Sequence, residues 1–500
     1  MWDLEESELD RSGQSGQSVY RQIADYVRTR IECGAFGAGE RLPPIRRLAG
    51  QLGVSRDTIA LSYEALARDG LVQSTVGRGT FVCTPEERPP RSREPAELAL
   101  SPCIDRLLAL ETARPRFASA QGIVPLHSLI PDPAFYPVDE FRKAFNRVLA
   151  RSGPDLFLYA APQGHPELRE AVAARLRDQD IDVTGEEIVL CHGASQGISL
   201  AVRLLAEAGD AVAVEVPTYH NVMASLVACG VEAVSVPMSE AGPDLASLDR
   251  VLSREDVKAF YTIPTFHNPL GSTTTLANRR GLLEIAARHG VAVIEDAFEM
   301  DLRFMGDAVP PLMALDDTGR VIHLSSFSKS LFPGIRAGAI AARGRVIDGL
   351  MALKHSSDLS DSMPLQAALA EFIAAGEYDR HLVRLRRELR LRRNALLDAL
   401  DEYMPQGSVW TEPEGGYQCW LELPMDVDTR DMLADAARAG VLFAPGSQFL
   451  PDRGASRAMR LVIAQANCEE IRRGIEALGR VVAERQAAEP VALQSASVHL

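Results

Sequence analysis

The segment SSFSKSLFPGIRAG, residues 325–338, contains the lysine best suited to covalent chemistry. Lys329 follows a β-branched run and a serine-rich turn. This context predicts an amine at the carboxyl end of a strand, where it can form a Schiff base with an aldehyde. The hydroxyl of Ser326 and the guanidinium of Arg336 are suited to binding the phosphate of such an aldehyde. Since an isolated lysine in a turn is usually a solvated surface residue, this interpretation needs support from other segments.

Two segments that follow predicted strands supply a phosphate-binding turn and an aromatic ring. In HGASQG, residues 192–197, the backbone amides of Gly193, Ala194 and Ser195 begin a helix, and helix N-termini bind anions. In VEVPTYHN, residues 214–221, Tyr219 comes just after a strand, where its ring could stack on a planar aromatic group. Taken alone, the loop is a weak signal, and a buried core tyrosine is about as plausible.

Two further polar residues lie where strands are predicted to end. Asn268, in IPTFHNPLG, carries an amide that could donate to a phenolic oxygen, although an asparagine before proline is also a common turn residue. Asp296 ends the apolar run VAVIED, where its carboxylate could pair with a protonated ring nitrogen and strengthen the ring's electron withdrawal. An acid at the end of a strand often only caps the backbone, so the surrounding motifs decide.

Together these segments, in this order, resemble the fold-type I aminotransferases. The resemblance implies a pyridoxal 5′-phosphate cofactor bound covalently to Lys329. It also implies that Arg460, in RAMRLVIAQ, binds the substrate carboxylate with its planar fork. Tyr159, in YAAPQGHPELRE, would reach the cofactor phosphate of a partner subunit, so the resemblance implies a homodimer with shared active sites.

Two residues depart from the aminotransferase pattern. Phe298 stands two residues after Asp296, where many relatives carry a tyrosine that donates a hydrogen bond to the cofactor. Leu129 stands where aminotransferases commonly have a glycine that lines the carboxylate pocket. Phenylalanine cannot donate, and leucine crowds the approach. Cofactor binding is therefore expected to survive, while efficient turnover is in doubt.

Residues 18–84 have the pattern of a winged helix-turn-helix. Tyr20, Ile23, Val27 and Ile31 fall on one helical face, and two further short helices flank a turn at Gly53. The run LVQSTVGRGTFV then predicts a β-hairpin. The spacing alone also fits a small helical domain with solvated arginines.

This stretch resembles the GntR-type regulators along nearly its whole length, YRQIADYVRTRIECGAFGAGERLPPIRRLAGQLGVSRDTIALSYEALARDGLVQSTVGRGTFV. The resemblance implies that the duplex is contacted by residues of the first helix of the turn, the start of the second helix and the hairpin tip. These residues are Arg46, Ser55, Arg56, Thr58, Gly77, Arg78 and Gly79. Arginine suits phosphate oxygens and guanine edges because its fork donates two parallel hydrogen bonds.

The charge distribution agrees with this division. The whole chain has 53 Lys and Arg against 68 Asp and Glu, a net charge of −15, which argues against a protein that coats nucleic acid or anionic membrane over its whole surface. Residues 18–84 hold nine Arg, no Lys and six acids, about +3, which leaves about −18 for the remainder. Seven scattered cysteines without a C-x-x-C pair indicate reduced thiols in a cytoplasm and no metal site.

The chain is expected to be an α/β protein with five parts. A mobile tail (1–17) precedes the DNA-binding domain (18–84), and a linker rich in proline and charge (85–120) leads to the cofactor domain (121–485) and a second tail (486–500). In the cofactor domain, strand runs alternate with helical segments, which predicts a mostly parallel sheet. The acidic start lacks the pattern of a signal peptide, and no apolar run of membrane-spanning length occurs.

The domain order resembles the MocR subfamily of transcription regulators. This implies a cytoplasmic regulator that binds an operator in double-stranded DNA, associates with the nucleoid when bound, and senses an amine or amino acid by aldimine exchange at Lys329. A working aminotransferase with an attached DNA module is the alternative. A third interpretation, a cofactor-free dimerisation scaffold, predicts that the lysine or the aspartate is missing, and the sequence has both.

Overall fold

The computed structural model describes residues 4, 9, 18–75, 78–84, 98–112 and 122–495, with side chains as far as residue 487. Gly77, most residues of the first predicted tail and of the predicted linker, and the last five residues of the second predicted tail lie outside the described residues. The chain divides into two compact units, Met1–Leu100 and Ser101–Leu500.

The first unit contains three helices followed by a two-stranded antiparallel sheet. Its elements are α1 (Val19–Glu32), α2 (Ile45–Gln51), α3 (Arg56–Arg68), β1 (Val72–Thr75) and β2 (Gly79–Val82). One apolar cluster, which includes Ile23, Leu48 and Ile59, holds the helices together. Ser55 caps α3 by accepting a hydrogen bond from the amide of Thr58 at 3.1 Å, which fixes where this helix begins.

The second unit is built on an eight-stranded sheet with the order β4-β11-β10-β9-β8-β5-β6-β7. These strands are β4 (Ile188–Cys191), β5 (Ala211–Val216), β6 (Glu232–Ser239), β7 (Gly242–Pro243), β8 (Val257–Thr262), β9 (Ala292–Asp296), β10 (Val321–Ser326) and β11 (Gly338–Ala341). The pairs from β6 through β5, β8 and β9 to β10 are parallel, while β11 runs antiparallel to both of its neighbours. The mostly parallel sheet expected from the sequence is confirmed.

Alternate residues along these strands pack into two separate apolar clusters. Ala213, Phe260 and Val293 belong to the larger cluster, while their neighbours Val214, Tyr261 and Ile294 belong to the other. Because successive side chains of a strand point to opposite faces, the sheet is buried on both sides. This explains why the strands appear in the sequence as short, continuous apolar runs.

Helices cover both faces of this sheet, and a smaller sheet follows it. The helices are α4 (Pro102–Thr112), α5 (Val138–Ser152), α6 (Pro166–Arg177), α7 (Ala194–Leu205), α8 (His220–Cys229), α9 (Leu245–Leu252), α10 (Leu276–His289), α11 (Leu312–Leu315), α12 (Arg345–Asp358), α13 (Met363–Ala374), α14 (Glu377–Tyr403), α15 (Leu433–Ala439) and α16 (Cys468–Ser495). The smaller sheet is antiparallel and contains β12 (Val409–Trp410), β13 (Gln418–Glu422), β16 (Ala458–Val462) and β15 (Ala444–Pro445). The remaining two strands, β3 (Val124–Pro125) and β14 (Val441–Leu442), pair in parallel.

Two elements extend beyond the divisions expected from the sequence. The helix α4 lies inside the stretch 85–120 that the composition assigns to a linker, and α16 continues to Ser495, past the expected boundary at residue 485. Helix α4 forms because Cys103, Ile104, Leu107 and Leu110 recur at helical spacing, a short signal next to a long proline-rich run. Within the described part of the chain, no helix combines the length and the apolar content that crossing a bilayer requires.

Candidate functional site

A cavity of about 320 Å³ lies where strands of the large sheet end, within the range common for small-molecule sites. Nine residues selected from the sequence line it, although they come from five separate segments and from β16. They are Ala194, Ser195, Tyr219, Asn268, Asp296, Ser326, Lys329, Arg336 and Arg460. Parallel strands bring their carboxyl ends to one edge of a sheet, and this explains why residues so distant in sequence meet here.

Lys329 projects its amine into this cavity. Its Nζ donates to the carbonyl oxygen of Leu129 at 2.7 Å. Burial lowers the pKa of the Lys329 amine, and the cations of Arg460 and Arg336 lower it further, while Glu299 acts in the opposite direction. The lowered pKa makes a larger share of the Lys329 amine available as the neutral nucleophile at a given pH.

Asp296 presents one unsatisfied carboxylate oxygen at the end of β9. Its Oδ2 accepts a hydrogen bond from the hydroxyl of Tyr261 at 2.7 Å, whereas its buried Oδ1 has no partner among the described residues. Burial raises the pKa of Asp296 to about 6. A lone carboxylate oxygen in a buried wall fits a protonated ring nitrogen, the cation that a pyridine cofactor would supply. Tyr261, which orients the carboxylate, was not foreseen because it sits inside an apolar strand.

The other end of the cavity has the groups expected of a phosphate site. Arg336 adopts a left-handed backbone conformation, with φ of 48°, and donates to the carbonyl oxygen of His192 at 2.5 Å. Ser328 has a buried hydroxyl without a hydrogen-bond partner in the described chain, and its amide donates to the hydroxyl of Ser326 at 3.2 Å. The orphan hydroxyl and the guanidinium therefore fit an anion. Sequence reasoning missed Ser328, although the Ser-x-Ser spacing around it was a usable signal.

Gly193 has a different part in this site from the one expected. Its amide donates to the carbonyl oxygen of Cys191 at 2.8 Å, so it is not free for a phosphate. A side chain at Gly193 would lie 3.4 Å from Nη1 of Arg336 and 3.5 Å from the hydroxyl of Ser328. The glycine therefore keeps space open, and the first amides of α7, which have no acceptor within the helix, remain for the anion. The backbones of Gly193 and Gly338 pack tightly against each other, because a Cβ at Gly338 would lie 2.8 Å from the Cα of Gly193.

Arg460 and Asn268 form the third wall. Nη1 of Arg460 donates to Oδ1 of Asn268 at 2.8 Å, and Nη2 donates to the carbonyl oxygen of His127 at 3.1 Å. The guanidinium lies over the ring of Phe449, with 4.8 Å to the ring centroid. Burial lowers the pKa of Arg460 to about 10, which still leaves it charged at neutral pH. A buried arginine whose Nε lacks a partner in the described region is suited to a carboxylate ligand.

Tyr219 is the residue just before α8. Its hydroxyl accepts a hydrogen bond from Nδ2 of Asn221 at 2.6 Å, and burial raises its pKa. The bond fixes the ring at the cavity wall, as stacking on a cofactor ring requires.

Tyr159 is not brought to the cavity. Its side chain is 87% exposed, and its neighbours Phe157 and Leu158 are 69% and 66% exposed. Three consecutive large side chains in water are unusual, so this segment is a candidate for contact with a second chain.

Phe298, one of the two departures noted in the sequence, lines the cavity without a hydroxyl, and Leu129 lines it beside Lys329. The next residue, Glu299, was missed. Its carboxyl is fully buried, with Oε2 accepting from the amide of Tyr417 at 3.3 Å and Oε1 unpaired among the residues described. Burial raises the pKa of Glu299 to about 8, against the opposing effect of the Lys329 and Arg460 charges.

The residues expected to contact DNA lie on the surface of the first unit. Arg46 is exposed on α2, and Ser55 and Arg56 are exposed at the start of α3, with Thr58 half-buried in its first turn. Arg78 is exposed before β2, and Gly79 begins that strand. The N-terminal end of the second helix and a wing are the parts that face a duplex in this motif.

His192, Asp358 and Asp361 are close enough together to hold a metal ion. However, the fully buried Nζ of Lys354 lies 2.6 Å from Oδ1 of Asp361 and 3.3 Å from Asp358. The ammonium supplies the positive charge that these carboxylates need, so the cluster is explained without a metal.

Comparison with known families assigns both units. Residues 130–478 match the family described as aminotransferase class I and II, and residues 19–82 match the gntR family of bacterial regulatory proteins. The chain is 30% identical to the HTH-type transcriptional regulator YdcR of Escherichia coli, over 93% of this chain and 99% of that one. It is 29% identical to the probable rhizopine catabolism regulatory protein MocR of Rhizobium meliloti, over 87% and 89%.

A solved structure supports the larger match. The multiple substrate aminotransferase from Thermococcus profundus is 32% identical, superposes with a TM-score of 0.71, and covers 79% of this chain and 98% of its own. The domain combination expected from the sequence is thereby confirmed.

We predict that Glu299→Gln lowers the pH at which Lys329 becomes reactive. Above pH about 8, where Glu299 is ionised, its carboxylate favours the protonated amine. In the variant only burial and two arginines act on the amine, so the pKa of Lys329 falls further. The measurement is the pH dependence of the rate at which the cofactor-free chain takes up pyridoxal 5′-phosphate, followed by absorbance.

Glu299→Asp, which retains the charge, should keep the wild-type midpoint. Glu414→Gln, in the loop before Tyr417, is the matched control and should also leave it unchanged. A midpoint that stays constant or rises in Glu299→Gln would contradict the assignment.

Proposed function

Because the chain belongs to the aminotransferase class I and II family and carries a GntR-family domain ahead of that fold, we propose that it is a pyridoxal 5′-phosphate-dependent transcription regulator. It binds DNA and responds to an amine ligand. The observation that carries this proposal is an intact cofactor site, with Lys329 and the unpaired oxygen of Asp296, in one chain with a winged helix-turn-helix. Domains of this combination form the MocR subfamily, to which the regulator relatives belong.

Bound pyridoxal 5′-phosphate supplies an aldehyde that condenses with amines and a ring that withdraws electrons. Lys329 would hold it covalently, Asp296 would hold the proton of the ring nitrogen, and Tyr219 would stack on the ring. Asn268, whose Oδ1 is already engaged by Arg460, would turn its amide nitrogen to the phenolic oxygen. The phosphate would lie among the first amides of α7, Ser326, Ser328 and Arg336.

An amino acid is the effector that the wall formed by Arg460 and Asn268 favours. Arg460 is buried and charged, and its Nε has no acceptor among the described residues. A carboxylate supplies both the opposite charge and the missing acceptor. An effector whose amine takes the place of the Lys329 amine would free that side chain and change the charge inside the cavity. The carboxylate contact and the amine exchange together would make the response specific.

We further propose that the chain acts as a homodimer. Tyr159 would then contact the phosphate of the partner subunit, which accounts for its 87% exposure in a single chain. A dimer carries two DNA-binding units, and the spacing of two half-sites sets the affinity for an operator. With only about +3 on each unit, binding should depend on both units and should weaken with salt. The proposed place of action is the nucleoid in the cytoplasm.

A working aminotransferase is the second candidate, and the presence of Lys329, Asp296 and Arg460 in one cavity favours it. Phe298 and Leu129 argue against efficient turnover. A footprint on the gene's own upstream DNA separates the two: amino transfer at enzyme-like rates with no bound fragment at moderate salt would exclude the regulator.

We predict that the cofactor-loaded chain absorbs near the edge of the visible range and that Lys329→Ala abolishes this band. The band arises from conjugation of the ring with the bound nitrogen, which requires the Lys329 amine. Lys258→Ala, a partly exposed lysine of the same unit, is the control and should retain the band. No band in the wild-type chain after incubation with the cofactor would refute both the regulator and the enzyme.

We predict that Arg56→Ala weakens operator binding by about 1–3 kcal/mol, five- to a hundredfold or more, without changing the cofactor absorbance. Arg56 begins α3, where base edges and phosphates are reached, while Arg68 lies in the last turn of the same helix. Arg68→Ala is therefore the matched control and should bind within a few-fold of the wild type. Gel-shift titration measures both, and loss of DNA binding and absorbance together would indicate misfolding instead of a lost contact.

A further inference from the structure

Lys354, Asp358 and Asp361 form a largely buried polar cluster that is not part of the cavity wall. The side chain of Lys354 is fully buried on α12, and its Nζ donates to Oδ1 of Asp361 at 2.6 Å and to both carboxylate oxygens of Asp358 at 3.3 Å. A buried ammonium is costly unless carboxylates meet it in good geometry. The ion pairs therefore bind the end of α12 to the turn that follows it.

The backbone between the two carboxylates adopts a conformation that needs support. Leu359 directly follows α12 with φ of 61°, in a region that non-glycine residues rarely occupy. Its side chain is 51% exposed, so packing of that side chain does not account for the conformation. The ion pairs with Lys354, one on each side of Leu359, supply the restraint, and Nε2 of Gln366 adds a hydrogen bond to Oδ2 of Asp361 at 2.7 Å. The cluster thus holds its members in one arrangement.

Two side chains connect this cluster to the loop before α7. Gln196, in the first turn of α7, donates from Nε2 to Oδ2 of Asp358 at 2.6 Å, and its Oε1 accepts from the amide of His192 at 2.7 Å. The ring of His192 lies beside the cluster, with its Nε2 3.1 Å from Oδ1 of Asp361. His192 is therefore held both at its backbone and at its ring.

His192 lies where the cluster meets the phosphate end of the cavity. Its carbonyl oxygen accepts the hydrogen bond from Nη2 of Arg336 at 2.5 Å, and the residues after it lead into the first turn of α7. Arg336 is exposed, so this hydrogen bond directs its guanidinium. A shift of His192 would therefore move both groups assigned to the phosphate, the arginine and the first amides of the helix.

We infer that Gln196 and His192 are positioning residues for the phosphate of the cofactor, and that the cluster around Lys354 is the support that holds them. They keep Arg336 and the start of α7 in the binding geometry before the phosphate arrives, which lowers the ordering cost of binding. This inference rests on the proposed function and concerns only the phosphate end of its site. Changes at these two residues should leave the chemistry of the Lys329 amine intact.

Two substitutions remove the links between the cluster and the loop. Gln196→Met keeps the length of the side chain and removes both of its hydrogen bonds, and His192→Phe keeps a ring and removes the contact with Asp361. Lys354→Met is a poorer test, because it would leave two largely buried carboxylates without their cation and so destabilise the fold.

Each variant has a control of the same kind. Arg203→Met also places a methionine on α7, but Arg203 is exposed in the last turn of that helix. His289→Phe also separates a half-buried histidine from a carboxylate, since Nε2 of His289 lies 2.8 Å from Oδ1 of Asp249, outside the cavity wall. Both controls should behave as the wild type.

The probes are pyridoxal 5′-phosphate and pyridoxal, which carry the same aldehyde and ring and differ in the phosphate. The quantity measured is the ratio of their dissociation constants for the cofactor-free full chain, followed by absorbance. We expect the wild type to prefer the phosphorylated probe by at least about a hundredfold, and each variant to lose about tenfold of this preference, the value of one charge-assisted hydrogen bond. The affinity for pyridoxal should not change, whereas a general loss of structure would lower the affinity for both probes.

Inorganic phosphate gives a second readout, because it occupies the phosphate end alone. It should compete with the uptake of pyridoxal 5′-phosphate by the wild type and by both controls. About tenfold more of it should be needed for the same inhibition of Gln196→Met and His192→Phe.

If both variants keep the wild-type ratio, or if the affinities for the two probes fall together, the inference is wrong while the proposed function stands. A wild-type chain that binds pyridoxal as tightly as pyridoxal 5′-phosphate would instead overturn the phosphate site of the proposed function itself.

Discussion

The unpaired carboxylate oxygen of Asp296 is the constraint on which the cavity depends. A carboxylate buried at the end of a central strand is costly unless a cation meets it, and one of its two oxygens is already held by Tyr261 from the neighbouring strand. The described protein offers no cation to the other oxygen. The sheet therefore maintains a charge that a ligand with a protonated ring completes, and the surrounding walls serve to place that ligand.

The buried charges around Asp296 moderate one another. Glu299 and Arg460 are buried near the half-buried Lys329, and the pKa of Lys329 is lowered by burial and by the charges of Arg460 and the exposed Arg336, against the effect of Glu299. Because these groups interact, their protons titrate as a coupled set and not residue by residue. An amine that exchanges with Lys329 enters a site that already contains an acid able to take up or release a proton.

Much of this site could be predicted from the sequence, because residues that follow strands are ordered along the chain. Lys329, Asp296, Asn268 and Tyr219 each come directly after an apolar run, and parallel strands bring such ends together. Ser328 and Glu299 could not be selected in the same way. Each stands out because a buried polar atom of its side chain has no hydrogen-bond partner among the described residues, which only the three-dimensional structure shows. Tyr261 lies within an apolar strand, and the hydrophobic pattern of that strand gives no sign that its hydroxyl donates to Asp296. Gly193 directly precedes α7, as the sequence indicates, but the direction of its amide depends on a local bond to Cys191 that spacing does not encode.

The close approach of Gly338 to Gly193 has a mechanical consequence. Backbone meets backbone there, with no side chain to rearrange, so the phosphate end of the cavity is its stiff end. The opposite end is built from the start of α8, whose Val222 and Leu226 pack in the core, and from the turn around Phe449, which contacts Thr218 and Arg460. A ligand held by its phosphate is therefore fixed in position at the stiff end. Ligands of different size then differ in how far they reach toward Tyr219 and Arg460.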